Sequence, residues 1–358
     1  MSETLLVTGA AGYIGSHFVE SLLRSPLWQR RAPRLVLLDD LSTGHREFID
    51  ALAGLATQSG FPAPVFEKLS LIDAPSVSAT LLRHRPSAVV HFAARISVGE
   101  SVANPGLYFL NNVEGSKNLL QAMRAAGCGR MIFSSTAAVY GTVTDPALAS
   151  RPLDEDTPLA PINPYGETKL RIERELAAAS VDWGLKSLVF RYFNAAGASP
   201  SGLLGEWHEP ETHLIPLLLR SIASGSALRV YGDDYPTRDG SCIRDYIHVS
   251  DLASAHLLGL ERLIDDSAFA GGVFNLGTEA GTSVLEVIRA AEAVAGKKVL
   301  FEVHPRRAGD SAVLVAASKR AREMLGWNPV HSGIETILKT AQAWEHRLHS
   351  SSSTLPSG

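Results

Sequence analysis

The stretch TLLVTGAAGYIG, residues 4–15, joins a short apolar run to three closely spaced glycines. Its first five residues are typical of a buried strand, and the residues from Ile14 onward have the apolar spacing of a helix. Gly9, Gly12 and Gly15 allow a sharp turn, and they let the backbone approach a pyrophosphate resting on the first amides of the helix. A strand, a glycine-rich turn and a helix in this order predict a dinucleotide site, although glycines also serve plain turns.

Apolar runs alternate with helix-like segments through the first half of the chain. The runs contain Val, Leu and Ile at consecutive positions, which is typical of parallel strands covered on both faces. Their alternation with helices predicts an α/β fold with a doubly wound, Rossmann-like parallel sheet. Strands are expected at 5–8, 35–38, 65–67, 88–92, 130–134 and 187–190, and helices at 14–24, 76–84, 107–126 and 165–179.

The pattern becomes less regular after about residue 194 and predicts a smaller, mixed α/β domain. We expect a dinucleotide-binding domain over residues 1–193 and a substrate domain over 194–348, with some segments crossing between them. Residues 349–358 have a composition that favours disorder. Helices in the second domain are expected at 214–224, 249–263, 284–295 and 319–325.

Size and composition limit the classes of function. At 358 residues the chain is long enough for one large domain or two. Its net charge of −4 gives no basic surface for nucleic acid, and Cys128 and Cys242 are too few for a disulfide framework. We see no signal peptide and no apolar stretch long enough to span a bilayer. These features predict a cytoplasmic protein without a nucleic-acid or membrane partner.

Two acidic residues lie at the end of the second predicted strand. Asp39 ends that strand, and Asp40 and Ser42 come directly after it. A carboxylate here can accept hydrogen bonds from the ribose hydroxyls of an adenosine and would repel a 2′-phosphate, which favours NAD over NADP. The alternative is that Asp39 only caps a turn.

Tyr165 and Lys169 lie four residues apart on a predicted helix and therefore share one of its faces. A nearby ammonium favours the phenolate, so a phenol with an ordinary pKa of about 10 can act as a base nearer neutrality. Ser134 and Thr136 precede this helix at the distance along the chain expected of one catalytic site. Alone, the pair also fits a surface tyrosine and a solvated lysine on an ordinary helix.

Small and amide side chains accompany the fourth predicted strand. Phe92, Ala93 and Ala94 follow its end, and small residues there let a dinucleotide lie close to the sheet. Asn112 can hydrogen-bond in the crevice at the carboxyl ends of the strands, where such folds bind ligands. The alternatives are that His91 is a satisfied core histidine and Asn112 a buried amide that stabilises a helix, and we do not expect His91 to act as a catalyst.

These motifs, in this order, resemble the extended short-chain dehydrogenase/reductase family and, within it, the UDP-sugar 4-epimerases. The resemblance implies a homodimer in which tightly held NAD is reduced and reoxidised in each turnover, so that UDP-glucose and UDP-galactose interconvert. Tyr165 would take the proton of the sugar 4-hydroxyl, and Thr136 would hydrogen-bond the 4-oxygen. The most specific stretches are 97–101, 135–141, 163–169, 192–198, 231–237, 244–249 and 305–310.

The resemblance also assigns the other site residues and implies no metal. Because the 4-keto sugar must turn over before hydride returns, affinity has to come from the nucleotide. Arginine suits its diphosphate because guanidinium presents paired donors to phosphate oxygens. The implied cofactor residues are Gly9, Gly12, Tyr13, Ile14, Gly15, Asp39, Asp40, Ser42, Ser70, Leu71, Phe92, Ala93, Ala94, Asn112, Ser134, Tyr165, Lys169 and Tyr192. The implied substrate residues are Thr136, Tyr165, Asn194, His213, Leu214, Val230, Tyr231, Arg244, Tyr246, Arg307, Asp310 and Leu314.

Four positions depart from the family's pattern. Ser70 stands where an aspartate near the adenine is common, and Ile96 stands where some members carry a lysine near the cofactor. Ala317 replaces an aspartate, and the sequence gives no physical reason for that change. Leu314 falls at the wall of the sugar pocket, where a large aromatic excludes N-acetylated sugars and a small residue admits them. An intermediate leucine predicts a preference for UDP-glucose and UDP-galactose.

Other functions on the same scaffold leave different traces. Dehydratases place an acid/base pair directly after the threonine, but Ala137 and Ala138 stand there and cannot transfer protons. Epimerases of UDP-N-acetylglucosamine or of UDP-uronic acids stay open as alternatives. A non-catalytic NAD-binding protein would be expected to lose Thr136, Tyr165 or Lys169, and all three are present.

Overall fold

A seven-stranded sheet forms the centre of the molecule, and every neighbouring pair of its strands is parallel. This computed structural model describes residues 3–31, 33–142, 151–307 and 310–352. The strands, numbered along the chain, are β1 (Thr4–Thr8), β2 (Arg34–Asp39), β3 (Val65–Lys68), β4 (Ala88–His91), β5 (Arg130–Thr136), β6 (Lys186–Tyr192), β7 (Asn194–Ala196), β8 (Leu228–Tyr231), β9 (Ile243–Arg244), β10 (Tyr246–His248), β11 (Gly271–Leu276), β12 (Thr282–Ser283), β13 (Phe301–His304) and β14 (Val313–Leu314). The order across the large sheet is β11-β6-β5-β4-β1-β2-β3.

Strand β1 shows how both faces of this sheet are buried. Leu5 and Val7 belong to one apolar cluster, which includes Phe18 from the following helix. Leu6 points to the opposite face and belongs to a second cluster, which includes Leu119. Successive side chains of a strand point to opposite faces, so a continuous apolar run is what a sheet covered on both sides requires. The predicted doubly wound fold is therefore confirmed.

Helices cover the sheet and connect its strands. They are α1 (Tyr13–Arg24), α2 (Pro26–Arg31), α3 (Arg46–Gln58), α4 (Ala74–His84), α5 (Val98–Ala103), α6 (Pro105–Tyr108), α7 (Gly115–Ala126), α8 (Pro164–Trp183), α9 (Leu214–Ser224), α10 (Val249–Asp265), α11 (Val284–Ala295), α12 (Lys319–Leu325) and α13 (Ile334–Ser352). The predicted strands and helices are present with ends shifted by a few residues, with one exception. The sequence patterns missed α2, α3, α5 and α13, and also strands β7 to β14.

The exception is the single helix expected over 107–126, which is wrong. α6 is followed by a wider, π-helical turn over Phe109–Glu114, and only then does α7 begin. The side chain of Asn112, within that turn, bonds the backbone of Arg95 at both its N–H and its C=O. Such turns lengthen the local hydrogen-bond pattern and often occur at functional sites. Apolar periodicity alone does not reveal them.

Residues beyond 193 form small sheets but also return to the large one. The small sheets pair β10 with β7, β13 with β8, and β9 with both β12 and β14. A separate apolar cluster joins α9, α11 and α13. In contrast, β11 pairs with β6, and Leu252 of α10 packs in the same cluster as β1. The part of the chain after residue 193 therefore contributes both to the large sheet and to the small ones.

Helix α13 continues to Ser352, into the segment whose composition favours disorder. Its last described turns are supported by a contact of His349 with Glu345 and by a hydrogen bond from the Ser350 hydroxyl to the carbonyl of His346. Residues 353–358 lie outside the described residues. Within the described ranges, we find no helix whose length and apolarity would let it cross a bilayer.

Candidate active site

The predicted site motifs meet at the carboxyl edge of the large sheet. The glycine turn follows β1, Asp39 ends β2, and Thr136 ends β5. β1 pairs with β2 on one side and with β4 on the other, so the strand order reverses beside β1. Ligands of open α/β sheets bind in the crevice at this reversal. The topology thus places the glycine turn at the expected binding crevice.

The three glycines of the turn are required for different reasons. Gly9 has a φ of 69°, and a Cβ there would lie 2.5 Å from the backbone nitrogen of Ala93. A Cβ on Gly15 would lie 2.1 Å from the carbonyl oxygen of Gly9. Gly12 caps α1, and its nearest neighbour would be 3.4 Å away, also the Gly9 oxygen. Gly9 and Gly15 close the turn, whereas Gly12 leaves the N-terminal amides of α1 open to an anion.

Asp39 holds the turn in place through both of its carboxylate oxygens. Oδ2 accepts a hydrogen bond from the Ala11 N–H at 3.0 Å, and Oδ1 accepts one from the Leu41 N–H at 2.9 Å. Burial raises the pKa of Asp39, and the two N–H donors oppose that rise. Asp39 therefore does cap the turn, as in the alternative considered from the sequence. Each oxygen has a second lone pair, so the carboxylate can still accept a ribose hydroxyl. Asp40 similarly accepts from the Ser42 N–H at 2.8 Å.

The residues after β4 line the same edge. Phe92 packs 5.6 Å from Phe18 and 4.9 Å from His256, measured between ring centroids. His91 is buried, with its ring nitrogens 2.6 Å from the Thr8 hydroxyl and 2.9 Å from the Ser116 hydroxyl. Burial, aided by the charge of Lys169, lowers the pKa of His91 to about 3. His91 is a neutral core histidine, which was one of the alternatives that the sequence left open.

Tyr165 stands at the start of α8, close to the end of β5. The side chain of Asn163 caps the helix by accepting from the Gly166 N–H at 2.9 Å. A Cβ on Gly166 would lie 2.6 Å from the carbonyl oxygen of Ala138, so this glycine lets α8 approach the turn after Thr136. The Thr136 hydroxyl lowers the pKa of Tyr165, but the larger effect of burial raises it to about 12. These contacts bring the tyrosine and the threonine together.

Lys169 lies one helical turn further along α8 and is 1% exposed. Its Nζ donates to the carbonyl oxygen of Ser134 at 2.6 Å and lies 6.0 Å from the ring centroid of Tyr165. Burial lowers the pKa of Lys169 to about 7, against the opposing charge of Glu173. Burial therefore opposes the ionised form of both groups in the protein without ligands, and the action of Tyr165 as a base near neutrality stays a prediction.

A buried polar network that the sequence analysis missed lies behind these residues. Arg191 donates to Glu173 through Nε at 3.1 Å and Nη2 at 2.7 Å, and the Ser135 hydroxyl donates to the same carboxylate. Arg191 also donates to the Tyr140 hydroxyl at 3.0 Å, which donates onward to Asn275 at 2.7 Å. In the sequence, the position of Glu173 four residues after Lys169 was the signal that could have identified this network. This network ties β5, β6, α8 and β11 together.

Other implied cofactor residues lie around this edge. Tyr13 is buried and donates to the carbonyl of Gly197 at 2.6 Å, and the Tyr192 hydroxyl bonds His256. Ser70 and Leu71 follow β3, and the Leu71 carbonyl accepts from Asn118 at 2.9 Å. Ile96 is 43% exposed. Of the remaining implied cofactor residues, Ile14 lies in α1, Ala94 follows β4, and Ser134 lies in β5.

The implied substrate residues form three groups beyond residue 193. Arg244 pairs with Asp310 at 3.4 Å, and Leu314 lies opposite Arg244 in the β14–β9 register. The Arg307 guanidinium lies 3.9 Å from the ring centroid of Tyr231. The third group consists of Asn194 and Tyr246, which are partners in the β10–β7 register. Of the remaining positions, Val230 is buried in β8, Leu214 begins α9, and His213 caps it.

Two contacts connect the Arg244 group to the Thr136 turn. The Ser311 hydroxyl donates to the carbonyl of Gly141 at 3.5 Å. Leu314 packs against a cluster that includes Ala137 and Phe193. Leu314 therefore lies beside the turn that carries Thr136, as expected of a pocket wall. Ala317 donates its N–H to the Leu153 carbonyl at 2.7 Å, and nothing in the structure explains its exchange for aspartate.

A second cluster of titratable groups lies near the glycine turn. The ligand atoms of Glu206, His208, Glu211 and His213 lie within 4.8 Å of one another. From the sequence, no metal is expected, and His213 is expected to bind the substrate. The alternation of acid and imidazole in E-x-H-x-x-E-x-H, residues 206–213, was the signal that could have identified this cluster.

Known proteins resemble this chain along almost its whole length. The sequence profile of the NAD dependent epimerase/dehydratase family matches residues 5–277. The UDP-glucose 4-epimerase of Lacticaseibacillus casei is 42% identical, over 97% of this chain and 97% of that protein. The structure is similar to a UDP-glucose-4-epimerase from Stenotrophomonas maltophila with bound NAD and formylated UDP-arabinopyranose, with a TM-score of 0.88, 38% identity, and coverage of 98% of this chain and 99% of that one. It is also similar to the UDP-Glc/GlcNAc 4-epimerase of Campylobacter jejuni, with a TM-score of 0.79, 39% identity, and coverage of 96% and 99%.

Proposed function

Because this chain belongs to the NAD dependent epimerase/dehydratase family, we propose that it is an NAD-dependent UDP-glucose 4-epimerase, which interconverts UDP-glucose and UDP-galactose. The observation that carries the proposal is the convergence of Thr136, Tyr165 and Lys169 beside a glycine turn that can hold a dinucleotide. The sequence similarity to UDP-glucose 4-epimerases supports the choice of substrate pair.

The turn after β1 fits NAD. Gly12 leaves room above the amides of α1, where the pyrophosphate would rest, and Asp39 can accept from the adenosine ribose. Asn112, Ala93 and Tyr192 would surround the nicotinamide end. When bound, NAD supplies a hydride acceptor that takes the hydrogen from carbon 4 of the sugar and returns it to the opposite face.

The protein's own part of the chemistry is to move one proton at the sugar 4-oxygen. Tyr165 accepts this proton as the carbinol is oxidised and returns it when the ketone is reduced. Thr136 donates a hydrogen bond to the same oxygen and keeps it near the phenol. Lys169, held by the carbonyl of Ser134, places a cation near the phenolate when that anion forms. The proton and the hydride both return to the sugar, so no net oxidation occurs.

Substrate affinity would come from the residues beyond 193. Arg244 and Arg307 are suited to the diphosphate, and Asp310 to the ribose of UDP. The intermediate must rotate, so its sugar ring can be held only weakly and the nucleotide must anchor the molecule. We therefore propose that residues 1–193 mainly hold NAD and the catalytic groups, and that 194–348 mainly hold the UDP part.

Leu314 is the basis for a proposal about sugar preference. It lies beside the Thr136 turn and is smaller than an aromatic residue but larger than the residues that admit an N-acetyl group. We propose that UDP-glucose and UDP-galactose are turned over better than the N-acetylated pair. The Campylobacter relative carries both sugars in its name, so similarity alone does not decide this preference.

Dehydration is disfavoured by the turn that follows Thr136. Ala137 and Ala138 occupy the positions at which an acid/base pair would act, and Ala137 is buried in a cluster with Val139 and Tyr140. A methyl group transfers no proton. A uronic acid substrate would need a positive or hydroxyl-rich contact for its carboxylate, and Arg244, which lies opposite Leu314, is assigned to the diphosphate in this proposal.

Location, assembly and pathway are further parts of the proposal. The free, buried Cys128 and Cys242 are consistent with the reducing cytoplasm. Exposed apolar side chains at Val98, Val102 and Leu110 support a homodimer contact on the α5–α6 side. The substrate pair would place the enzyme in galactose metabolism. Light scattering of the purified protein tests the homodimer.

The direct test is conversion of UDP-galactose by the purified protein, followed by a coupled assay that detects UDP-glucose. We expect turnover without added reductant or oxidant in the epimerisation step. A protein that contains NAD but makes no UDP-glucose would instead be a non-catalytic NAD-binding protein. Conversion of UDP-galacturonic acid alone would identify the uronic acid alternative.

A further inference from the structure

Glu206, His208, Glu211 and His213 lie in the segment between β7 and α9. All four side chains point into one small space, since their ligand atoms lie within 4.8 Å of one another. None of the four takes part in the proposed proton transfer, and this inference assigns His213 to an ion rather than to the substrate. Two imidazoles and two carboxylates are a ligand set that Zn²⁺ accepts.

The distances within the cluster are close to those between ligands of one ion. His208 Nδ1 lies 3.4 Å from Glu206 Oε1 and 3.7 Å from Glu211 Oε2. His213 Nδ1 lies 2.7 Å from Glu206 Oε1 and 3.4 Å from Glu211 Oε1. Tetrahedral ligands about 2.0–2.2 Å from Zn²⁺ are separated from each other by about 3.3–3.6 Å. Three of the four separations are therefore within a few tenths of an ångström of that value.

Three buried atoms of the cluster make no hydrogen bond, although the histidines lie at ion-pair distances from the carboxylates and Glu211 Oε1 accepts from two backbone N–H groups. Glu206 Oε1, His208 Nδ1 and Glu211 Oε2 are buried and make no hydrogen bond. The Glu206 and Glu211 side chains are only 6% and 1% exposed. The 2.7 Å approach of His213 to Glu206 has the distance of an ion pair but not the direction of a hydrogen bond. Buried carboxylate and imidazole atoms without a hydrogen bond are costly, and each one needs an explanation.

We propose that these four side chains bind one divalent transition-metal ion of the Zn²⁺ type. Two carboxylates balance its charge, and the two imidazole nitrogens complete four-coordination. Four protein ligands leave no open position for water or substrate, so the ion is structural and takes no part in the reaction.

The surroundings indicate what the ion would hold together. Tyr13, at the start of α1, packs edge-on against His208 with ring centroids 6.2 Å apart, and its hydroxyl donates to the Gly197 carbonyl. Trp207 stacks on His45 at 3.7 Å, and Trp344 donates to the Glu206 carbonyl at 2.9 Å. The ion would therefore fix the 204–213 segment between the glycine turn and α13.

The first test is metal content and affinity in the untagged, full-length protein. After removal of metals with a chelator, Zn²⁺ is titrated in by calorimetry, with Mg²⁺ as a comparison. We expect one tight Zn²⁺ site per chain, a melting temperature that rises by several degrees on binding, and no comparable response to Mg²⁺. A wild-type protein that binds no Zn²⁺, and whose melting temperature does not change when Zn²⁺ is added, would overturn the proposal.

The second test assigns the site to these residues. His208→Gln and Glu211→Gln should each weaken Zn²⁺ binding by more than about 100-fold, since even outer partners of metal ligands are worth 10–100-fold. His346→Gln, on the exposed face of α13, is the matched control and should bind as the wild type does. Equal Zn²⁺ affinity in the wild type and in both cluster variants would reject the assignment. If a variant fails to fold, the wild-type titration still decides.

Discussion

The carboxyl edge of the large sheet and the small sheets beyond residue 193 differ in how far their polar side chains are withdrawn from solvent. At the edge, Asp39 and Lys169 are 8% and 1% exposed. In the small sheets, the Arg244 and Asp310 side chains are 12% and 33% exposed, although Arg244 also donates to the backbone carbonyls of Ile243 and Ser311. A buried edge suits groups that must face a reacting atom, and more accessible side chains suit an anchor for a nucleotide. The two regions should therefore respond differently to mutation, in kcat on one side and in KM on the other.

The largest effect is expected from Tyr165→Phe. Loss of the proton acceptor should lower kcat by about 10²–10⁴-fold while KM and bound NAD stay nearly unchanged. Steady-state kinetics and the absorbance of bound cofactor measure both quantities. Tyr235→Phe is the matched control, because the Tyr235 hydroxyl is buried in the other region without a hydrogen-bond partner. Normal turnover in Tyr165→Phe would remove this residue from the mechanism.

Lys169 provides a test through pH. Its pKa is lowered from 10.5 to about 7 in the folded protein. Between these values the unfolded chain binds more protons than the folded one, so the free energy of unfolding should rise with pH from about 7 to 10.5. Lys169→Met should remove this rise, on the order of a few kcal/mol, because one pKa unit corresponds to about 1.4 kcal/mol.

Denaturant unfolding at several pH values measures that rise. Lys339→Met, which changes an exposed lysine of α13, should keep the slope of the wild type. Identical pH dependence in wild type and Lys169→Met would show that Lys169 is not a strained, buried cation. The same variant should also shift the pH–rate profile upward, since the phenol loses a neighbouring cation.

Arg244→Gln should change the opposite kinetic parameter. Removing a charged donor to the diphosphate should raise KM by about tenfold or more, since a hydrogen bond to a charged group is worth about 1.5–3 kcal/mol. The kcat should change by only a few-fold. Arg238→Gln, an arginine of the same region that pairs with Glu286, is the control. A fall in kcat with an unchanged KM would contradict the separation between the two regions.

The smallest effect is expected at Leu314. Leu314→Ala should raise the efficiency for UDP-N-acetylglucosamine relative to UDP-glucose by several-fold, and Leu314→Tyr should lower it. Competition between the two sugars in one reaction measures the ratio of kcat/KM directly. Equal efficiency of the wild type on both sugars would reject the proposed preference.

The same contrast explains what could be predicted from the sequence. The large sheet was predictable because its strands carry a local apolar signal and because parallel strands place all their carboxyl ends at one edge. The glycine turn, Asp39 and the Tyr165–Lys169 pair were predictable because each is a short motif at the end of an element. The wider turn at Asn112 was not, because it depends on bonds to Arg95, which is 17 residues earlier.

Contacts between distant parts of the chain were also beyond the sequence. Glu173 and Arg191 meet only because α8 packs against β6, and Tyr13 reaches Gly197 across 184 residues. The pKa values of Tyr165 and Lys169 depend on burial, which a motif does not report. Burial raises the pKa of Tyr165 in the protein without ligands, and the motif gives no sign of that rise.

The central claim is that one hydrogen leaves carbon 4 of the sugar and the same hydrogen returns, while Tyr165 holds the proton. UDP-galactose carrying deuterium at carbon 4 tests it most directly, with the UDP-glucose formed analysed by mass spectrometry. We expect the product to retain the full label at carbon 4 in ordinary water, and turnover to show a primary isotope effect where the chemical step limits the rate. Loss of the deuterium to solvent during epimerisation would contradict it.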